Sequence, residues 1–358
     1  MAAKKERYMA YVGSYSYTGK AKGITCYDVD VENGKFTYRT EVEVDNSSYL
    51  ICSHKNPVLY SIADEGIVAF RILPNGTLTR LGSRKINGMR GCHLSISKDD
   101  RHICVSGYHD GKGTILDVNP DGTVGDIKYQ FYNRGYGSVA DRTYRPHVTC
   151  TRFTPSGDYV FSADSGIDQV KIFKYSPHDE SLRQVDALRL ERGSSPRFFR
   201  FSADGRFMYL IYEVKNVIDV YSYRDGARAP ILERIQTIGT THNTDPSLLT
   251  AACAIRLSTP DQTHVMVSNA GENTVTMYER DKDTGLLTFM SSLPISGDYP
   301  KDISFFPDGK HLAVANHQSN ELSFFKIDYE KGLLIMNQRN IDVNQPNCIR
   351  FVKLGNVD

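Results

Sequence analysis

"FRFSADGRFMYLIYE", residues 199–213, is an apolar strand end, a polar turn and a second apolar strand that finishes on an acid. Asp-Gly at its centre is turn chemistry, because Gly takes backbone angles that other residues resist. The phrase returns as "LSISKDDRHICVSGY" (94–108), "TRFTPSGDYVFSADSG" (151–166), "IRLSTPDQTHVMVSNAG" (255–271) and "ISFFPDGKHLAVANH" (303–317). A looser copy is "LICSHKNPVLYSIADEG" (50–66). Between the copies lies a second phrase of strand, Gly turn and strand, as in "GITCYDVDVENGKFTYRTEVEV" (23–44) and "TVTMYERDKDTGLLTFMSSL" (274–293), in seven copies. Together the phrases make a four-stranded unit, A-B-C-D, recurring about every 45–60 residues, a propeller-sized period.

The first strands of the units are apolar nearly throughout, as burial on both faces requires, and the alternation elsewhere has period two. The first unit starts at its B strand, "RYMAYVGSY" (7–15), and the chain ends on "QPNCIRFVKL" (345–354), which reads as an A strand. Pairing the two would hide two sheet edges. The expectation is an all-β fold: one domain over residues 1–358, a seven-bladed β-propeller with four antiparallel strands per blade, residues 345–354 completing blade one.

At 358 residues and net charge +1, the chain is long enough for a large core and gives no reason to expect nucleic acid or an anionic membrane as partner. Its apolar runs are strand-sized, short of the roughly 20 residues of a membrane helix. "MAAKKERYMAYVG" lacks the apolar region of a secretory signal, so a cytoplasmic protein is expected. The seven cysteines include no CxxC pair and read as buried hydrophobes, with a catalytic thiol expected only at a strand end, such as Cys92 or Cys150.

A strands start where B strands end, so both ends share one mouth of a propeller. Aligning the units on their turns gives two rings. The A starts are Tyr49, His93, Cys150, Phe198, Ala254, Asp302 and Cys348, preceded by Cys92, Thr149, Arg197, Lys301 and Asn347. The B ends are Asp64/Glu65, Tyr108, Asp164, Glu213, Asn269 and Asn316/His317, with Tyr15 in blade one. The insert "NRGYGSVADRTYRPHVT" (133–149) adds Arg142, Arg145 and His147. Carboxylates, histidines and arginines converging on one mouth suit acid–base chemistry or the binding of an anionic sugar.

"PRFFRFSADGRFMYLIYEVKNVIDVY" (196–221), "GCHLSISKDDRHICVSGYHDG" (91–111) and "PKDISFFPDGKHLAVANHQSNELSFF" (300–325) resemble the lactonase family of seven-bladed propellers, which includes one type of 6-phosphogluconolactonase and the fungal carboxymuconate cyclase. The resemblance covers nearly the whole chain. It implies a sugar-lactone hydrolase with a small-molecule sugar lactone or sugar acid as partner. His147, Glu213 and Asp164 would be catalytic, with Glu213 or His147 as base and Asp164 orienting that His. His93, Arg142, Arg197, Tyr108, Glu65, Asn269 and Asn316 would bind substrate. The family's Pro-Arg-His reads Pro196-Arg197-Phe198 here, the second His of Pro-His-x-His is Thr149, and an acid and an Arg of blade six have become Ala254 and Ala270. No cofactor is implied; a divalent cation held by channel carboxylates is a lesser alternative, without a spacing signature. Two rival functions stand beside hydrolysis: a non-catalytic propeller that binds a sugar acid or a protein, and a lactonising or isomerase-type use of the same site. Nothing in the sequence fixes the oligomeric state.

Overall fold

In this computed structural model, residues 6–137, 144–179, 181–242 and 248–354 are described. They form seven four-stranded antiparallel sheets. Blade five is typical: strand A is Pro196–Phe201, B is Phe207–Tyr212, C is Val217–Arg224 and D is Ile231–Gly239. No helix occurs among the described residues.

Every residue of strand Phe207–Tyr212 is buried, and its period-two alternation explains why. Met208, Leu210 and Tyr212 join a cluster with Tyr159 and Phe161 of blade four. Phe207, Tyr209 and Ile211 join one with Ile255, Val265 and Val267 of blade six. A strand sandwiched between two blades has no face for water. The D strands are outermost, and in Ile231–Gly239 exposed and half-buried residues mix.

The Asp-Gly turn is wider than a two-residue hairpin. Phe201 pairs with Met208 as the last rung, and Ser202 N–H then donates to Phe207 C=O at 2.9 Å. Asp204 Oδ1 accepts from Arg206 N–H at 3.1 Å, and Gly205 takes φ +73°. The tightness comes from these side-chain bonds rather than from loop length.

The ring closes as the chain ends require. Strand Pro346–Lys353 pairs antiparallel with Tyr8–Ser14, with Val12 opposite Ile349 and Tyr8 opposite Lys353. It is the innermost strand of blade one. Tyrosines at one register stitch successive blades: Tyr11, Tyr60 and Tyr209 donate their hydroxyls to the carbonyls of Gly76, Gly122 and Gly285, each in the next blade, at 2.9–3.0 Å.

Candidate active site at the channel mouth

Arg197 owes its position to a bulge. Pro196 pairs with Tyr212 and Phe198 with Ile211, so Arg197 has no ladder partner. The same skip occurs at Thr149, Cys253, Lys301 and Asn347 in blades four, six, seven and one. An extra residue in one strand kinks it and re-aims a side chain. Four of the five bulge residues, Thr149, Arg197, Lys301 and Asn347, line one cavity of about 420 Å³.

The approach to the bulge is held as well. Ser195, Tyr299 and Gln345, each just before the strand's proline, take left-handed φ of 59°, 58° and 44°. Their N–H groups donate to side-chain oxygens of Asp168, Asn273 and Asn320 at 2.8–3.0 Å. Those acceptors sit in the B–C turn of the preceding blade. The neighbouring blade therefore fixes where each bulge begins, and side-chain bonding offsets the backbone strain.

Within the cavity, Arg197 Nη1 meets Glu213 Oε2 at 2.7 Å, and each side chain is 14% exposed. Burial alone would lower the pKa of Arg197, but the charge of Glu213 holds it well above its ordinary value. The Lys301 ammonium lies 4.8 Å from the ring centre of Tyr15, and Arg90 approaches the same ring at 4.9 Å. Burial, and then the charge of Arg197, pull Lys301 down to about 8. Asp302 also reaches the wall, but it is held by Arg256, by Arg350 Nη1 at 3.2 Å and by Ile349 N–H at 3.1 Å. Asn347 is 3% exposed, and neither polar atom of its carboxamide makes a hydrogen bond of normal geometry, although His317 stands beside it. Cys92 lines the wall as a thiol: burial pushes it up to about 12, and Sγ donates to Val148 C=O at 3.4 Å.

Of the residues singled out from sequence, the structure brings Glu213, Arg197 and Tyr108 into this cavity. His147 stands behind Tyr108, with rings parallel at 4.2 Å. Its Nδ1 donates to Tyr108 C=O at 2.6 Å. Asp164 does not orient that ring. It is fully buried and accepts from His147 N–H (2.7 Å), Gly166 N–H (2.9 Å) and Asn133 Nδ2 (2.7 Å), while burial raises its pKa. Asn269 and Asn316 are likewise buried and donate to Thr240 C=O and Ser296 C=O at 2.8 and 3.2 Å. Glu65 is exposed and pairs with Lys85 at 2.6 Å, away from the cavity. Arg142 lies outside the described residues.

His93 belongs to the floor rather than the wall. Its ring centre is 4.7 Å from Tyr49 and 5.3 Å from Phe198, and those two are 6.5 Å apart. They come from blades two, three and five. Blades two and five are not neighbours, so the contact crosses the channel and closes the cavity beneath. Burial, then four nearby arginines, hold His93 well below its ordinary pKa, hence neutral.

Lys301 and Asn347 stood in the aligned rings without being picked as site residues; their bulge register is the signal that marks them. Tyr299 and His109 also line the cavity. They sit in turns, where no repeat phrase flags them. Among the described residues no group of three or more His, Cys, Asp and Glu could hold a metal ion.

Residues 9–351 match the protein family described as "Lactonase, 7-bladed beta-propeller". The chain is 28% identical to the 6-phosphogluconolactonase of Bacillus subtilis, over 97% of this chain and 99% of that protein. It is 28% identical to a Formosa agariphila protein of the same name, over 95% and 98%. The solved structure of the periplasmic gluconolactonase of Pseudomonas aeruginosa superposes with a TM-score of 0.89 at 26% identity, over 98% of this chain and 100% of that one.

Proposed function

This chain belongs to the lactonase family of seven-bladed β-propellers, and on that premise we propose that the mouth cavity opens a sugar lactone with water. The observation that carries the proposal is the Arg197–Glu213 pair at 2.7 Å in a cavity of about 420 Å³ that also holds Lys301. That volume suits a monosaccharide lactone. Hydrolysis needs a base for water and donors for the oxyanion that forms as water adds to the carbonyl. Glu213 is the base, since Asp302 is committed to two arginines. Arg197 and Lys301 stabilise the oxyanion. Collapse breaks the ring C–O bond, the ring oxygen takes up a proton, and a hydroxy acid leaves. His147, behind Tyr108, positions that wall of the cavity.

Two cations, Arg197 and Lys301, beside the Glu213 carboxylate favour a lactone with an anionic substituent, in line with the name of the Bacillus relative. Binding without turnover is the second reading, supported by Ala254 and Ala270, which give the blade-six side no charged group at these positions. The deciding experiment follows acid release from fresh glucono-δ-lactone and its 6-phosphate, with and without chelator, beside Glu213→Gln. Turnover above the spontaneous rate that Glu213→Gln abolishes supports hydrolysis. Saturable binding of gluconate or its 6-phosphate with no turnover moves the reading to a binding protein.

A further inference from the structure

Beneath the aromatic floor, the innermost strands carry Arg152, Arg200, Arg256 and Arg350 at one register, two residues past the A starts Cys150, Phe198, Ala254 and Cys348. At about 3.3 Å per residue this layer lies roughly 7 Å below the mouth ring, and none of the four lines the cavity. Their contacts run across the blade seams. Arg200 Nε donates to Ile255 C=O of blade six at 3.4 Å. Arg256 and Arg350 both reach Asp302 of blade seven, and the Arg350 guanidinium sits 4.7 Å from the ring centre of Tyr49 in blade two.

Charge does not balance in this layer. Among the described residues, Asp302 is the only carboxylate that forms an ion pair with any of the four. Three positive charges are left in excess. Arg152 Nε is buried and makes no hydrogen bond. Arg200 feels the strain: burial, then the charges of Arg152 and Arg256, pull it down to about 9. The Arg256 and Arg350 side chains are still 13% and 14% exposed. Directly above, the His93 Nδ1 is buried without a hydrogen-bond partner.

We propose that this arginine layer is a second binding site, in the channel below the floor, for a compact tetrahedral oxyanion such as inorganic phosphate or sulfate. Guanidiniums present planar forks of N–H groups that match the oxygens of such an ion, and its charge offsets the excess. Tyr49, His93 and Phe198 separate it from the mouth cavity, so the ion enters from the opposite end of the channel. This site does not depend on what the mouth does.

The test is thermal unfolding of the full chain in phosphate, sulfate and chloride at equal ionic strength, with gluconate 6-phosphate as a further arm. Phosphate and sulfate should raise Tm by several degrees along a saturating curve, while chloride does not. Arg152→Gln and Arg200→Gln should lose that rise, and Lys301→Gln, altered only in the mouth, should keep it. A rise that tracks ionic strength alone overturns the proposal. So does one lost in Lys301→Gln and kept in the arginine variants, which would place the ion at the mouth. A rise with gluconate 6-phosphate alone would overturn it as well, since the free ion then has no site. Should the arginine variants not fold, crystals of the unaltered protein grown in sulfate decide: an ion bridging the four guanidiniums supports the site, and its absence refutes it.

Discussion

Arg197 and Glu213 meet at 2.7 Å, one from a bulge at the start of an innermost strand and the other from the turn after the strand beside it. Removing one partner of such a buried pair leaves the other with its desolvation uncompensated. Arg197→Met is expected to cost about 2–3 kcal/mol, somewhat below a fully buried pair because both groups keep some exposure. Glu213→Gln should lower kcat/KM on a sugar lactone about 100-fold or more. Urea unfolding beside initial rates checks both, and a Glu213→Gln enzyme with full turnover would remove Glu213 from the mechanism.

Lys301 sets a pH limb. Its pKa falls from 10.5 to about 8, so it loses its charge as pH rises through 8. The kcat/KM for an anionic lactone should fall above that pH, and Lys301→Arg should flatten the limb. Stability runs the other way. The unfolded chain binds the extra proton between about pH 8 and 10.5, so the folded state gains stability relative to Lys301→Met as pH climbs through that window. A limb unchanged in Lys301→Arg would show that another group titrates.

Asp164 is expected to hold backbone rather than perform chemistry. In Asp164→Asn, the amide oxygen can still accept from His147 and Gly166 N–H, and a flipped Asn133 can offer its oxygen to the new amide. Stability should shift by less than about 1 kcal/mol and kcat by less than about threefold. A kcat loss of about 100-fold with Tm unchanged would return Asp164 to a catalytic role.

The blade seams make a local stability test. A Cβ on Gly285, at φ +75°, would fall 2.3 Å from Phe207 Cδ1. Gly285→Ala should therefore cost well over about 1 kcal/mol, from both backbone strain and overlap. Tyr60→Phe removes only the hydroxyl that donates to Gly122 C=O at the equivalent seam and should cost about 1 kcal/mol. Denaturant midpoints would rank the two, and a milder Gly285→Ala would mean that Phe207 swings aside.

Ending the chain at Asn344 removes the innermost strand of blade one together with Asn347 and Arg350. The edge of Tyr8–Ser14 is then open to pairing with other chains. Aggregation on size exclusion is the expected outcome. A monodisperse, folded truncation would show that this closure is dispensable.

The repeat phrases, their turn residues and the unmatched strands at the two ends determined the blade count, the strand order and the closure. These are local periodicities, and each strand's burial pattern follows from its own composition. The two rings followed from the same alignment, which is why Arg197, Tyr108 and Glu213 could be named from residues alone. Which ring members face the mouth could not be read that way. An alignment marks strand ends, but an Asn or Asp there can equally turn inward to hold a loop, as Asn269, Asn316 and Asp164 do. Only the tertiary structure decided that four of the five residues skipped by a bulge line the cavity, that Tyr49, His93 and Phe198 meet across the channel, and that four arginines share the level below. Those relations join blades far apart in the chain, and pairing register and ring closure, rather than local pattern, set the distances between them.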